Sequence, residues 1–393
     1  MDGSFPATPT SAMVAEWANE MYCNAVTAFR PAVPSSEPRE HERRHSSGDR
    51  ILAIDVVRGY CIISMVAGHL AGGSSFSRAV HIFPRFDGAS GFVLLSGLVL
   101  GIVQRRRTHR VNLAGVLRKT GTRIAVIYVA QMALVLIGVA MLLLGRRRHA
   151  NIPPTQGRDV AELIVSALTM SLAPPVGSVL RLYVILLLLA MGAYWLLMRG
   201  EWGAVLAASF GLYGLGMLVR EHTSFVAFDG VTRGANWAMW QLLFISALVL
   251  GWQWERIKAA DILRRRRWWV LLGYPLVFVV LSGVGRRFWL AEKIDFSLPR
   301  MLVAYVTLAF LYVAVEQLSR LVPRAVTRPV ELIGQRSLDS YIIQACVATV
   351  VPSYVAFGPD STTALLLAVG VLAMCWAWAA LRSRHKRGLA AAA

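Results

Sequence analysis

Charge is scarce in this chain and cysteine scarcer. Only 16% of the 393 residues are Asp, Glu, Lys or Arg, whereas a soluble protein carries about a quarter. Cys23, Cys61, Cys346 and Cys375 show no paired spacing, which argues against both a disulfide framework and a thiolate metal site. The first 50 residues hold no apolar core followed by a small-residue cleavage site, so no signal peptide is read there. A phosphate-cradling glycine loop, a Gly-x-Ser-x-Gly elbow and a His-Glu-x-x-His pair are all missing. Acidic residues are outnumbered by basic ones, 22 to 41, for a net charge of +19. The arginines cluster between apolar runs rather than interleaving with aromatics, so this excess does not read as nucleic-acid binding.

Long hydrophobic runs are what the chain has in place of charge. Hydrophobic residues make up 56% of it and the mean hydropathy is +0.53. The reading is an all-α, polytopic transmembrane bundle of about ten spans. They are placed at 51–70, 88–104, 121–144, 178–198, 203–219, 237–254, 268–285, 300–318, 338–354 and 363–381. A polar tail, 1–50, precedes the membrane domain, 51–381, and a short basic tail, 382–393, follows it. Within the first tail, Val14, Trp17, Ala18, Met21, Ala25 and Ala28 fall near helical spacing, and suit either an interfacial helix or an unstructured segment. The run Val160 to Leu172 is apolar but short, and reads as re-entrant or interfacial.

Basic residues set the orientation. With the N-terminus inside, the runs at 105–119, 256–267 and 320–336 and both tails lie on the cytosolic side, and they hold most of the Lys and Arg. Arg146, Arg147 and Arg148 fall on the opposite side and weaken the asymmetry without reversing it. Both termini are therefore expected in the cytoplasm of a cell that holds the chain in its plasma or inner membrane. The cytosolic segments are too short for a separate nucleotide-binding domain.

Two ionisable residues stand out inside the first span. Arg58 and His69 are separated by ten residues, which is about 16 Å along a helix at about 1.5 Å per residue. A charged group at such depth is costly and marks function. His69 alone of the eight histidines lies in a strongly apolar segment. Asp87 opens the second span and reads two ways, as a carboxylate that orients His69 or as a helix N-cap. Gly88, Ala89, Ser90, Gly91, Ser96 and Gly97 read first as a close-packing surface. Arg181 and Tyr183 open the fourth span, and Asn236, Trp237, Trp240 and Gln241 the sixth. Asn236 and Gln241 suit a sugar hydroxyl or an interhelical hydrogen bond equally. At the inner end of the ninth span Ser337 reads as an N-cap and Asp339 as a first-turn acid, with Gln344 deeper. The inner arginines are topology signals first, though Arg58 and Arg123 also suit a phosphorylated cytosolic donor.

Several runs resemble a known family, the OpgC-type membrane acyltransferases. Ile54-Asp55-Val56-Val57-Arg58-Gly59 through His69 is similar to that family's first helix, and Phe92-Val93-Leu94-Leu95-Ser96-Gly97 to its second. Leu182-Tyr183-Val184-Ile185-Leu186-Leu187 resembles its fourth, Asn236-Trp237-Ala238-Met239-Trp240-Gln241-Leu242-Leu243-Phe244 its sixth, and Ile333-Gly334-Gln335-Arg336-Ser337-Leu338 its ninth. The resemblance implies an enzyme that decorates extracytoplasmic glycans, with succinylation of periplasmic glucans as the family's example, and it makes His69 the catalytic histidine. Where relatives often carry Glu, this chain has Ser90, and Leu70-Ala71-Gly72-Gly73 replaces the usual proline-containing loop.

The expected activity is transfer of an acyl group, succinyl among the candidates, from cytosolic acyl-CoA to a glycan hydroxyl, without a metal. Arg58 and Arg123 would hold the donor. His69 would act as base or acyl carrier, with Asp87 setting its tautomer. Ser90, Tyr183, Asn236 and Gln241 would line an outer cavity. A transporter for an anion or lipid-linked sugar is the competing reading, and the lack of internal repeats counts against it.

Overall fold

The computed structural model describes residues 52–391 apart from 109–110, 144–164, 166, 171–177, 227–232, 285–294, 356–357 and 359–360. Its first half runs through α1 (Leu52–Leu70), α2 (Ser75–Val80), α3 (Gly88–Thr108), α4 (Leu113–Leu143), α5 (Ser178–Met198), α6 (Trp202–Leu218) and α7 (Arg220–Thr223). A two-stranded antiparallel hairpin, β1 (Ser224–Val226) and β2 (Arg233–Asn236), sets Ser224 opposite Asn236. The second half continues through α8 (Trp237–Gln253), α9 (Ala259–Arg265), α10 (Arg267–Val284), α11 (Leu298–Leu321), α12 (Arg324–Gln335), α13 (Ser337–Tyr354) and α14 (Thr362–Ala391). The tail run at 14–28, Arg146–Arg148 and most of 160–172 lie outside the described residues.

An all-helical scaffold is what an apolar solvent demands, because each helix satisfies its own backbone polar groups. Six of the helices, α1, α3, α4, α5, α11 and α14, are long and apolar enough to cross a membrane. Four shorter apolar ones, α6, α8, α10 and α13, coincide with the remaining hydrophobic runs. An exposed apolar face lies on α10, where Trp269, Leu272, Leu276 and Val279 fall on one side of the helix and are 65–82% exposed, as suits a lipid surround.

The core forms around α1, which packs against α3, α11, α12, α13 and α14. Glycine permits the tightest of these approaches. A Cβ on Gly59 would collide with the Val330 carbonyl of α12, and one on Gly334 with the Asp55 carbonyl of α1. The α3–α8 seam is built the same way, with Gly97 and Gly101 seated on the Phe244 and Leu248 carbonyls. Gly88 and Gly91 abut Cys61 of α1 in turn, so the small residues of α3 serve packing as read from the sequence.

Candidate active site

Arg58 sits in the first half of α1, where α12 hands over to α13. The close contact of Gly59 and Gly334 brings the start of α13 against α1, and an Arg58 Nη donates to the Ser337 hydroxyl. Arg58 Nε is buried without a hydrogen-bond partner. Ser337, expected as a helix cap, makes no side-chain cap bond and serves the guanidinium instead; Arg336 occupies the cap position.

Arg123 on α4 donates to the Tyr183 hydroxyl at 2.8 Å and lies 5.4 Å from that ring's centre. Tyr183 was expected on an outer cavity wall. It is buried beside Arg123, because α4 and α5 pack against each other and bring residue 183 level with residue 123. Its ring continues into an aromatic cluster, with Phe92 at 5.8 Å and Phe244 at 6.0 Å. Phe92 in turn stacks on Tyr341 of α13.

His69 occupies the last turn of α1 and is exposed, as is Gly68 beside it. It follows Arg58 by about three helical turns, so the two share a face of α1. A second histidine, read from sequence as a loop residue, is ordered nearby. His81 Nδ1 lies 2.8 Å from the Ser77 carbonyl, which only accepts, so in the neutral ring Nδ1 bears the proton. Nε2 then accepts from the Ser64 hydroxyl at 2.9 Å, while Ser64 accepts from the Gly88 amide at 3.0 Å. These bonds pin the 71–87 segment to α1. They also start α3 at the level of Cys61–Met65, more than a turn below His69.

Asp87 does cap α3. One carboxylate oxygen accepts from the Ser90 amide at 2.8 Å and from the Ser90 hydroxyl at 2.6 Å. The other accepts from Arg300 of α11 at 3.2 Å, in an ion pair whose side chains are 15% and 7% exposed. In the sequence Arg300 stands at the first position of the span read at 300–318. The signal was its position directly after Leu298-Pro299, at the start of an apolar run.

The expected outer cavity wall is corrected by the side chains themselves. Asn236 is fully buried, accepting from the Ala238 and Met239 amides as the N-cap of α8 and donating to the Gly216 carbonyl. Gln241 binds the Ser209 hydroxyl and carbonyl of α6 and the Ala238 carbonyl. Ser90 is buried on Asp87. These groups have partners within the fold and hold helices together.

A cavity of about 230 Å³ opens on the α1 face that carries Ile54 and Val57, with Leu98, Leu250, Trp254 and Tyr312 among its walls. Its lining is aliphatic and aromatic, unlike the polar set around Arg58. Between α9 and α11, Arg264 Nε donates to Glu316 at 2.6 Å, and that bond raises the guanidinium pKa above its usual value. Among the described residues no group of three or more His, Cys, Asp or Glu is placed to hold a metal ion.

The five sequence runs that carried the family resemblance converge in space. Asp55 meets Gly334, Arg58 meets Ser337, Phe92 meets Tyr183, and Gly97 and Tyr183 both meet Phe244. A family model described as OpgC protein matches residues 50–387. The chain belongs to the OpgC family. That membership points to a membrane acyltransferase of the glucan-modifying kind. No curated protein and no solved structure matches the chain.

Proposed function

We propose that this OpgC-family protein moves an acyl group from cytosolic acyl-CoA to a hydroxyl of an extracytoplasmic glycan. The observation that supports this reading is the disposition of α1: a half-buried, Ser337-bound Arg58 towards one end and an exposed His69 about three turns on, along the same face. Ten spans with both termini in the cytoplasm, in the plasma or inner membrane, put Arg58 on the donor side and His69 on the acceptor side. Arg58 and Arg123 hold the phosphates of the donor, a task for which a planar fork of donors is suited.

At the outer end His69 takes the proton of the acceptor hydroxyl as its oxygen attacks the thioester carbonyl. The new ester bond forms, the carbon–sulfur bond breaks, and the thiolate leaves and is protonated to the free thiol. The same imidazole is placed to carry the acyl group itself between two such steps. Asp87, held by Arg300 and Ser90, fixes the start of α3 beneath it. Succinyl is the acyl group favoured by the family.

The experiment is mass spectrometry of cell-envelope glycans from a deletion strain complemented with wild type or His69→Ala. An ester-sized mass that is restored by wild type only supports the reading and identifies the acyl group. Glycans that are identical in all strains would overturn it.

A further inference from the structure

Gln131 of α4 and Gln344 of α13 are buried, at 0% and 1% exposure, and neither the amide nitrogen nor the amide oxygen of either has a hydrogen-bond partner. This sets them apart from Asn236 and Gln241, whose amides are engaged in the fold. Orphaned amides in an apolar bundle destabilise it, and in native proteins such groups have partners supplied from elsewhere.

Their positions are specific. Gln344 follows Ser337 by about two helical turns and lies on the same face of α13, while Gln131 lies about 12 Å beyond Arg123 along α4 and about 80° round that helix. The helices α4 and α13 pack against each other, and α13 also packs against α1. Ser337 is bound to Arg58, so with α1 and α13 both running outward Gln344 stands about 10 Å outward of it, short of the level of His69. The two amides therefore stand between the cationic inner end and the imidazole.

We infer that Gln131 and Gln344 form a subsite that reads the amide-bearing arm of the donor, an inference that rests on the acyl-CoA reading above. Coenzyme A joins its thiol to its phosphates through an extended arm with two secondary amides. A glutamine amide both donates and accepts, so it can pair with the N–H or the C=O of such an arm. With phosphates at Arg58 and Arg123 and sulfur delivered to His69, the arm runs past these two residues. The pair thus selects a thioester on an amide arm over one on a plain alkyl thiol.

The test measures binding to the full-length protein in detergent by calorimetry, with two probes. One is coenzyme A; the other is 3′-phosphoadenosine 5′-diphosphate, which has the phosphates and lacks the arm. Gln131→Leu and Gln344→Leu each weaken coenzyme A by about fivefold, the worth of a typical hydrogen bond, and leave the armless probe unchanged. The same variants raise the thermal midpoint of the ligand-free protein, since each removes an unpaired polar group. Unchanged coenzyme A affinity would mean that the amides do not meet the arm, and equal weakening of both probes would mean a packing role; either overturns the subsite. Failure of wild type to bind coenzyme A overturns the donor reading, and the subsite with it.

Discussion

Arg58 and Ser337 meet across 279 positions of chain, a guanidinium of the first span bound by the hydroxyl that opens α13. The bond ties the first half of α1 to the second half of the bundle, beside the Gly59–Val330 and Gly334–Asp55 contacts. Ser337→Ala removes that acceptor while preserving the helix start. The expected outcome is a rise of about fivefold in the donor KM with kcat nearly unchanged. Arg58→Lys, which replaces the fork by a point charge, raises the donor KM further. Steady-state kinetics with varied acyl-CoA check both.

His69→Ala removes the only group proposed for proton transfer at the outer end. Acylation falls by about a hundredfold or more. Because the side chain is exposed, the thermal midpoint shifts little. A midpoint drop matching the loss of activity would instead place His69 in the scaffold.

The Asp87–Arg300 pair is buried, so breaking one side is worse than removing both. Asp87→Asn leaves a buried cation with its carboxylate partner gone and destabilises the protein by about 3 kcal/mol. Arg300→Met together with Asp87→Asn recovers a measurable part of that loss. Denaturant unfolding of Asp87→Asn, Arg300→Met and the double variant gives the coupling; strict additivity would show that the pair is not coupled.

Asn236→Ala separates packing from sugar recognition. Loss of the α8 cap and of the bond to Gly216 lowers stability by about 1–2 kcal/mol. The acceptor KM stays at its wild-type value. A selective rise in acceptor KM would return Asn236 to the binding site.

Much of this architecture is legible in the hydropathy alone. The fourth span is read at 178–198 and α5 occupies Ser178–Met198; the sixth is read at 237–254 and α8 occupies Trp237–Gln253. Helix ends are less legible where charge follows apolar sequence. The last span is read to 381, yet α14 runs on to Ala391, because Arg, Lys and Ala are good helix formers once past the membrane. Hydropathy says which residues avoid water and is silent about which residues meet. The partner of Asp87 lies 213 positions away on α11, and no local pattern carries that distance. The short helix α2 and the Ser64–His81 bond were hidden for a similar reason: a polar loop folded back against α1 has the composition of any loop. Tyr183 was misplaced because depth along a span is set by the register of its neighbour, which for α5 is α4.

The helix that carries both Arg58 and His69 behaves as a rigid ruler. Its side chains tolerate exchange wherever packing allows, but its length between those two residues does not change freely. One residue inserted between them turns the imidazole by about 100° and shifts it by about 1.5 Å, out of line with the guanidinium. The separation of the proposed donor and acceptor ends is therefore encoded as a count of residues, and an insertion or deletion in this stretch is expected to be more damaging than most substitutions within it.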